Sequence, residues 1–390
     1  MLSLKGGFEM VYCARCGRKY PGDTKIWRCS CKGELEYQSQ YTYSIPPPER
    51  LTLRPHSIWR YREALPHLED EDIVSLGEGC TPIVTAKWKG FPVWFKLDFL
   101  CPTGSYKDRG SSVMISRLKQ MGITSIVEDS SGNAGASVAA YAARAGMECR
   151  IFVASHTSPA KLAQIRAYGA KIKAVDGTRQ DVAEACQRSV EEDPRGETLY
   201  ASHNWNPFFL EGMKTLAYEI WEQCERSKIM PDWVVVPAGY GSCALGAYRG
   251  FRDLLNQGRL SHLPRLVIVQ AENCAPIYQA YLHGETQVTP IRGGKTVAEG
   301  IACSSPVRGS QVLAAARESG GFIMAVSEEE IDSAAISLAR EGLFVEPTSA
   351  VVAAALGRLI DSGTIAKNDV ALGILTGIGL KTGYYYEGRS

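Results

Sequence analysis

Short apolar runs alternate with helix-like segments through most of the 390-residue chain, and this alternation limits the possible fold more than any other feature. Runs such as "CRIFVAS", "KIKAVDG" and "RLVIVQA" are rich in β-branched residues, and segments such as "PAKLAQIRAYGA" and "RQDVAEACQRSVEE" follow a helical pattern between them. Regular alternation of strands and helices is typical of parallel sheets covered on both faces by helices. The sequence therefore predicts an α/β protein in which ligands bind beyond the carboxyl ends of the strands.

The charge and composition of the chain exclude several classes of partner. The formal net charge is +1, with 43 Lys and Arg against 42 Asp and Glu, so no concentrated basic surface for nucleic acid or an anionic membrane is expected. No apolar run approaches the roughly 20 residues that cross a bilayer, and the N-terminal residues do not resemble a signal peptide. Eight of the 12 cysteines are scattered singly, as small buried side chains in a reducing compartment would be. We expect a cytoplasmic protein that binds neither nucleic acid nor a membrane.

The other four cysteines lie close together near the N-terminus. Cys13 and Cys16 form a C-x2-C pair, and Cys29 and Cys31 form a C-x-C pair after twelve intervening residues. Two thiol pairs across a hairpin-length segment suit tetrahedral Zn²⁺, and metal binding would supply the folding energy of a segment too short for its own core. The second pair is one residue shorter than usual, so a ribbon without metal and a pair of labile disulfides stay open. In each case the site is structural, because four thiolates leave no open metal position.

Four segments near predicted strand ends have the composition of ligand-binding loops. They are "TGSYKDRG" with Lys107, "SSGNAG" (130–135), "PAGYGSCALG" (237–246) and "LTGIGLK" with Thr376. Small residues let backbone N–H groups approach a ligand, and the start of a helix favours an anion. Each segment alone is an ordinary glycine-rich turn, and a lone lysine is an ordinary surface charge. Together, an amine, two anion-binding helix starts and a hydroxyl suit a phosphorylated aldehyde held as a Schiff base, which is pyridoxal 5'-phosphate.

Longer motifs resemble those of the threonine synthase family, which belongs to the fold-type-II enzymes that use pyridoxal phosphate. The resemblance covers residues 58–381 and is carried by "IWRYREALP", "SLGEGCTPI", "PTGSYKDRG", "NWNPFFLEGMKT", "EPTSAVVAAAL" and "LTGIGLK". It implies two open parallel-sheet domains and, as in many relatives, an N-terminal cysteine ribbon. We expect a zinc-ribbon-like segment at 1–40, an arm with part of the large domain at 41–112, a small α/β domain at 113–205 and the rest of the large domain at 206–390. The resemblance also implies a homodimer.

The resemblance implies a role for each matching residue. Lys107 would hold the cofactor as an aldimine and later move protons at the substrate Cα, and Asn133 would hydrogen-bond the phenolic oxygen of the cofactor. Thr376 would face the pyridine nitrogen, and a hydroxyl there leaves that nitrogen largely unprotonated, which suits elimination chemistry. The remaining residues divide into a set that binds the cofactor phosphate (Gly239, Tyr240, Gly241, Ser242 and Cys243), a set that binds the substrate next to its carboxylate (Ser130, Ser131, Gly132, Ala134 and Gly135) and two contacts to the substrate phosphate (Lys161 and Asn206).

The residues on the substrate side depart from the family pattern. The family usually has "STGNT" where this chain has "SSGNAG", and Asp176 stands where a substrate-binding arginine is expected, with Arg179 nearby. The expected reaction converts O-phosphohomoserine and water to threonine and phosphate. One alternative is a β-replacing or β-eliminating enzyme, such as a cysteate- or cysteine-synthase-like enzyme or a serine/threonine dehydratase. A non-catalytic, ligand-binding relative is the other, and the presence of Lys107 argues against it.

Overall fold

The structure is a computed structural model that describes residues 9–39, 43–194, 196–225, 227–387 and 389. Its internal contacts divide the chain into two compact units, each built from separate stretches. The first unit comprises Met1–Pro46, Arg54–Glu78 and Lys107–Gly212, and the second comprises Pro47–Leu53, Gly79–Tyr106 and Met213–Ser390. The predicted boundary between residues 40 and 41 lies outside the described residues, and the predicted domain bounds stay a prediction.

Thirteen strands are present in the described residues. They are β1 (Glu9–Cys13), β2 (Lys19–Pro21), β3 (Leu35–Ser39), β4 (Ile83–Trp88), β5 (Phe91–Leu97), β6 (Ser125–Glu128), β7 (Glu148–Ala154), β8 (Lys171–Val175), β9 (Thr198–Tyr200), β10 (Trp233–Pro237), β11 (Arg265–Ala271), β12 (Phe322–Val326) and β13 (Ala371–Leu375).

Thirteen α-helices accompany these strands in the described part of the chain. They are α1 (Pro48–Leu51), α2 (Lys107–Gln120), α3 (Asn133–Ala145), α4 (Pro159–Ala167), α5 (Arg179–Glu191), α6 (Pro207–Met213), α7 (Thr215–Glu225), α8 (Ser242–Asn256), α9 (Pro276–Leu282), α10 (Gly309–Glu318), α11 (Glu328–Arg340), α12 (Pro347–Asp361) and α13 (Gly383–Tyr386). Across the described residues, no helix combines the length and the apolar character that a membrane crossing requires.

The first unit contains two sheets. The N-terminal sheet is antiparallel, in the order β2-β1-β3, and carries the four clustered cysteines at its end and in its loops. The second sheet is parallel, in the order β8-β7-β6-β9. Its core side includes Val127, Phe152 and Tyr200, and Trp27 from the N-terminal segment packs into the same cluster. Trp27 therefore attaches the cysteine segment to the parallel sheet of this unit.

The second unit is built on one six-stranded sheet, in the order β12-β11-β10-β13-β5-β4. Five of its strands are parallel, and β4 pairs with β5 as an antiparallel edge strand. Strand β10 is buried along its whole length, and β11 is buried except at its first residue, Arg265. Helices that cover both faces of a parallel sheet account for this burial. Apolar side chains from alternate strand positions, such as Val235, Val267 and Val269, form a core cluster with residues of α11 and α12.

Two helices begin earlier than the sequence pattern indicated. Lys107 and Ser242 were expected in loops, but they are the first residues of α2 and α8, whereas α3 begins at Asn133 as the pattern of "NAGASVAAYAARAG" predicts. The loops before α2 and α8 contain Gly104 and Gly241. These residues adopt positive φ angles of 81° and 91°, which glycine tolerates without strain. The predicted ligand-binding groups therefore lie at helix starts, where backbone N–H groups lack partners within the helix.

One predicted helix is divided in two. The segment "FFLEGMKTLAYEIWEQ" was expected to form a single helix, but α6 ends at Met213 and α7 begins at Thr215. A Cβ atom added to Gly250 of α8 would lie 2.4 Å from the Lys214 carbonyl oxygen, so the two backbones approach closely at the break. The break therefore coincides with a close tertiary contact, which the helical pattern of the segment does not reveal.

Candidate active site

The carboxyl ends of β6 to β9 lie along one edge of the parallel sheet in the first unit, because neighbouring strands run in the same direction. The loop after β6 leads directly into α3 at Asn133. Helix α2 lies beside α3, and the Ser137 hydroxyl donates to Asp108 Oδ1 over 2.6 Å. Lys107 begins α2, and its Nζ lies 5.6 Å from the centroid of the Phe209 ring. The lysine therefore lies near the starts of two adjacent helices.

Residues 130–135 form a tight turn before and within the first turn of α3. A Cβ atom at Gly135 would lie only 1.8 Å from the carbonyl oxygen of Ser130, so a side chain larger than hydrogen does not fit. The N-cap residue Gly132 has no side chain that could accept the first N–H groups of the helix. This arrangement suits an anionic group at the start of α3.

A buried acid–base pair lies behind this turn. Glu128 ends β6 and is fully buried, and its Oε1 lies 2.7 Å from Nδ1 of His203, which is also buried. Burial raises the pKa of the Glu128 carboxyl well above its usual range, and burial also lowers the pKa of His203 well below its own. The nearby positive charge of Lys107 lowers both pKa values, which further disfavours a charged His203 and only partly offsets the effect of burial on Glu128. Burial therefore disfavours the charged form of both members of the pair.

A second buried carboxylate, Asp129, is held from two sides. Arg179, the first residue of α5, donates from Nη1 to Asp129 Oδ2 over 2.6 Å, and the Tyr200 hydroxyl donates to Oδ1 over 2.9 Å. Asp129 immediately precedes the turn at 130–135, so these bonds hold the turn in place. The Arg179 side chain remains 45% exposed, and Asp176 lies exposed just after β8.

Lys161 and Asn206 occupy different settings in this unit. Lys161 is the third residue of α4 and is partly exposed. Asn206 is buried, and its Oδ1 accepts the Phe208 N–H over 3.0 Å at the start of α6. Any contact from Asn206 to an anion must therefore come from its Nδ2 group.

In the second unit, residues 238–241 connect β10 to α8. A Cβ atom at Gly239 would lie 2.9 Å from Ile301 Cα, and one at Gly241 would lie 2.2 Å from Val312 Cγ2. The glycines let the loop pack tightly against these neighbours, and Gly241 offers no side chain to cap the helix. The first turn of the 15-residue helix α8 therefore presents backbone donors of the kind that hold a phosphate.

Thr376 lies beside this loop, because β13 pairs in parallel with β10. Its hydroxyl lies 3.0 Å from the fully buried Ser349 Oγ, and its carbonyl accepts the Tyr106 N–H over 3.0 Å. The Tyr106 hydroxyl in turn lies 3.2 Å from Ser242 Oγ at the start of α8. Tyr106 thus connects the Thr376 turn with the start of α8.

The four N-terminal cysteines converge on one point. Their Sγ atoms all lie within 4.8 Å of one another, with 3.5 Å between Cys13 and Cys31 and 3.6 Å between Cys16 and Cys29. Tetrahedral Zn²⁺ with Zn–S bonds of about 2.3 Å requires sulfur atoms about 3.8 Å apart. The cluster therefore has the ligand number and spacing of a structural zinc site.

Comparisons with known proteins identify the family. The model of the pyridoxal-phosphate dependent enzyme family matches residues 74–377. A threonine synthase from Methanocaldococcus jannaschii is 36% identical over 378 residues, which is 95% of this chain and 92% of the relative. Another from Methanosarcina acetivorans is 33% identical over 95% of this chain and 91% of the relative. The chain belongs to the threonine synthase family.

Solved structures of other enzymes share the fold of this threonine synthase family member. Maize serine racemase superposes with a TM-score of 0.67 at 19% identity, covering 79% of this chain and 90% of that protein. The processed form of threonine deaminase isoform 2 from Solanum lycopersicum superposes with a TM-score of 0.69 at 20% identity, covering 89% of each chain. The predicted family, the α/β fold of the fold-type-II enzymes and the pyridoxal phosphate cofactor are confirmed.

Three residues that the sequence pattern does not single out lie close to predicted site residues of their own unit, namely Glu128 and His203 in the first unit and Ser349 in the second. His203 follows β9, so the rule that ligands bind beyond strand ends could have found it. Glu128 ends an apolar strand and looks like an ordinary strand-terminal acid. Ser349 lies inside α12, within "EPTSAVVAAAL", and no local pattern distinguishes it from a helix-packing serine.

Glu128→Gln should make the protein more stable at neutral pH but not at pH 4.5. The raised pKa keeps Glu128 protonated in the folded state while the unfolded state ionises near 4.5, so wild-type stability falls as pH rises above that value. The glutamine variant lacks this loss, and its advantage should grow by up to about 1.4 kcal/mol per pH unit. Urea unfolding at pH 4.5, 5.5 and 7 measures the difference.

His203 has a depressed pKa, so its contribution to stability is lost as pH falls below about 6.5. Because His203 contacts Glu128 directly, the two contributions are separated by measuring Glu128→Gln in a His203→Gln background as well. The exposed residue Glu192, changed to Gln, controls for the general loss of one negative charge. A difference between Glu128→Gln and wild type that does not change with pH would mean that Glu128 is ionised in the folded protein.

Proposed function

We propose that this protein is a threonine synthase, which converts O-phosphohomoserine and water to threonine and inorganic phosphate. The observation that carries the proposal is the 33–36% identity, over 95% of the chain, to two proteins named threonine synthase. When bound, pyridoxal phosphate supplies an electron sink that makes protons on the substrate carbons easier to remove.

The cofactor fits the residues of this chain. Gly239 and Gly241 pack where side chains cannot fit, and α8 begins at Ser242 without a side-chain cap, which leaves a backbone cradle for a phosphate. We assign the cofactor phosphate to the backbone of Gly239, Tyr240, Gly241, Ser242 and Cys243. Lys107 supplies the amine that binds the aldehyde carbon, Asn133 binds the phenolic oxygen, and Thr376 faces the pyridine nitrogen.

The start of α3 holds the substrate carboxylate in this proposal. The turn of Ser130, Ser131 and Gly132 and the first helical residues Ala134 and Gly135 present small side chains and backbone donors. This orients the substrate amine and Cα towards the Lys107 amine. Burial of Glu128 disfavours an additional negative charge beside the bound carboxylate.

The Lys107 amine carries the proton transfers. The threonine product has its hydroxyl on Cβ, so phosphate loss from Cγ requires deprotonation at Cβ as well as at Cα. We assign both transfers to Lys107, which acts as general base and then as general acid. Because the lysine is only partly exposed, few water molecules compete for these protons.

The substrate phosphate needs cationic or N–H donors. We propose Lys161 and the Nδ2 group of Asn206 for this role. Arg179 retains 45% exposure of its side chain while bonded to Asp129, so it has room for a second anionic partner.

The cysteine cluster holds one structural Zn²⁺ in this proposal. The ligands are Cys13, Cys16, Cys29 and Cys31, and the spacing of their sulfur atoms supports the assignment. The ion stabilises the segment that positions Trp27, whose ring packs edge-on against Tyr200 and Trp205 at 5.2 Å and 5.3 Å. We also propose, on the resemblance to the family, that the protein acts as a homodimer in the cytoplasm.

A substrate panel tests the proposed reaction against its alternative. O-phosphohomoserine, O-phosphoserine, O-acetylserine, serine and threonine are offered separately to the holoenzyme, and released phosphate, acetate, ammonia and keto acid are measured. We expect threonine and phosphate in equal amounts from O-phosphohomoserine. Release of acetate from O-acetylserine or ammonia from serine, with no threonine formed, would favour the β-replacing or β-eliminating enzyme.

Lys107→Ala should reduce turnover by at least about 10³-fold without unfolding the protein, because the amine acts chemically. Lys119→Ala, on the last turn of the same helix, is the matched control and should retain wild-type turnover. Phosphate release and the circular dichroism melting temperature are measured for both. Substantial turnover in Lys107→Ala would remove the lysine from the mechanism.

A variant carrying both Cys13→Ser and Cys16→Ser should lose one zinc ion per chain and melt at a lower temperature, because metal binding supports the folding of the ribbon. Cys80→Ser, in the other unit, is the control and should keep its zinc. Metal content is measured by atomic emission on the purified proteins. An unchanged zinc content in the double variant would reject the site.

A further inference from the structure

Ser349 makes an unusual number of hydrogen bonds to one turn of the second unit. Its Oγ accepts the N–H of Thr376 over 2.9 Å and the N–H of Gly377 over 2.8 Å. The same atom lies 3.0 Å from the Thr376 hydroxyl and 3.3 Å from the Gly377 carbonyl oxygen. Ser349 is fully buried and Thr376 nearly so, so water does not offer alternative partners.

Counting lone pairs and hydrogens fixes the direction of the bond between the two hydroxyls. A hydroxyl oxygen accepts two hydrogen bonds and donates one. Both acceptor positions of Ser349 are occupied by backbone N–H groups, so the Thr376 hydroxyl cannot donate to Ser349. The Ser349 hydrogen has two acceptors in reach, the Thr376 hydroxyl oxygen at 3.0 Å and the Gly377 carbonyl oxygen at 3.3 Å, and neither choice gives Ser349 a further lone pair for the Thr376 hydrogen.

The hydrogen of the Thr376 hydroxyl is then directed away from Ser349. Among the described residues, Ser349 is the protein group to which this hydroxyl is hydrogen-bonded. If Thr376 also accepted a hydrogen bond from a ligand, its own hydrogen would be left without an acceptor in a buried site, which is unfavourable. The site is therefore satisfied when the ligand atom facing Thr376 is an acceptor.

We propose that Ser349 is a positioning residue that fixes the Thr376 hydroxyl as the hydrogen-bond donor to the pyridine nitrogen of pyridoxal phosphate. The inference rests on the proposed function, because it takes that nitrogen as the atom facing Thr376. A nitrogen that accepts this bond is unprotonated. Ser349 thereby keeps the ring nitrogen unprotonated, which makes the cofactor a weaker electron sink. It acts through Thr376 and not through a contact of its own with the cofactor.

The test compares the affinities for two cofactors. Pyridoxal phosphate and its 1-deaza analogue, in which C–H replaces the ring nitrogen, are titrated into full-length protein stripped of cofactor, and dissociation constants are read from absorbance. Both form the same link with Lys107, so differences in that link cancel between variants. The preference is the dissociation constant of the 1-deaza analogue divided by that of pyridoxal phosphate. It should be about tenfold larger in wild type than in Thr376→Val, which corresponds to about one hydrogen bond.

In Ser349→Ala this preference should fall to within about twofold of the Thr376→Val value, because the threonine hydroxyl is no longer oriented. The double variant of Ser349→Ala and Thr376→Val should show no further change, since Ser349 acts through Thr376. Ser319→Ala removes another buried serine hydroxyl that accepts a backbone N–H, that of Leu266, and should keep the wild-type preference. If Ser349→Ala does not fold, Ser349→Cys, which donates weakly, should show the same direction of change.

The outcomes separate the two proposals. Retention of the full wild-type preference in Ser349→Ala would overturn the positioning role while leaving the cofactor assignment intact. A wild type whose preference for pyridoxal phosphate equals that of Thr376→Val would also overturn the positioning role. A wild type that binds neither cofactor would reject the proposed function and this inference with it.

Discussion

Parallel strand pairing is the constraint on which the rest of this structure depends. In the second unit, β10 pairs with β13 so that Trp233 lies opposite Ala371, and the strands end next to each other. The loop that leads into α8 and the turn at Thr376 must therefore emerge side by side. In the first unit, the pairing of β6 with β9 brings the Asp129 turn and His203 to one edge of the sheet in the same way. Residues far apart in the sequence meet because the strands before them are aligned.

Close packing then decides which residues those loops can contain. Gly135 and Gly241 lie where an added Cβ would collide with Ser130 and Val312, at 1.8 Å and 2.2 Å. Both glycines are therefore required by contacts with neighbouring protein atoms, in addition to any freedom they give the backbone. The same packing places the first turns of α3 and α8 at the loop ends without side-chain caps. The packing of the loops therefore produces two helix starts of the kind that suit an anion.

The alternation of strands and helices was visible in the sequence because apolar periodicity is a local property, and most strands agree with it within a few residues. The site was visible in part, since Lys107, the glycine-rich segments and Thr376 all follow from composition at strand ends. The break at Lys214 was not visible in the sequence, and it coincides with a close approach of Gly250, which is distant in the sequence. The hydrogen bonds of Ser349 could not be predicted from the sequence either. Its partner Thr376 lies 27 residues away, and the packing of α12 beside β13 sets the distance between the two hydroxyl oxygens. Hydrogen-bond partners of buried hydroxyls depend on tertiary contacts that periodicity does not encode.

Each unit contains a polar group beside its candidate residues that does not favour a charge. In the first unit, burial raises the pKa of Glu128 well above its usual range and lowers the pKa of His203 well below its own. In the second unit, the residue at the end of β13 is a threonine hydroxyl, which cannot ionise as an aspartate would. A substrate with both a carboxylate and a phosphate brings its own negative charges. A buried carboxylate left ionised beside it would repel those charges, whereas a neutral acid and an oriented hydroxyl hold their partners through hydrogen bonds alone. A carboxyl whose ionisation is disfavoured at Glu128, a carboxylate at Asp129 that is already paired with Arg179 and a neutral hydroxyl at Thr376 therefore suit the anionic substrate proposed above.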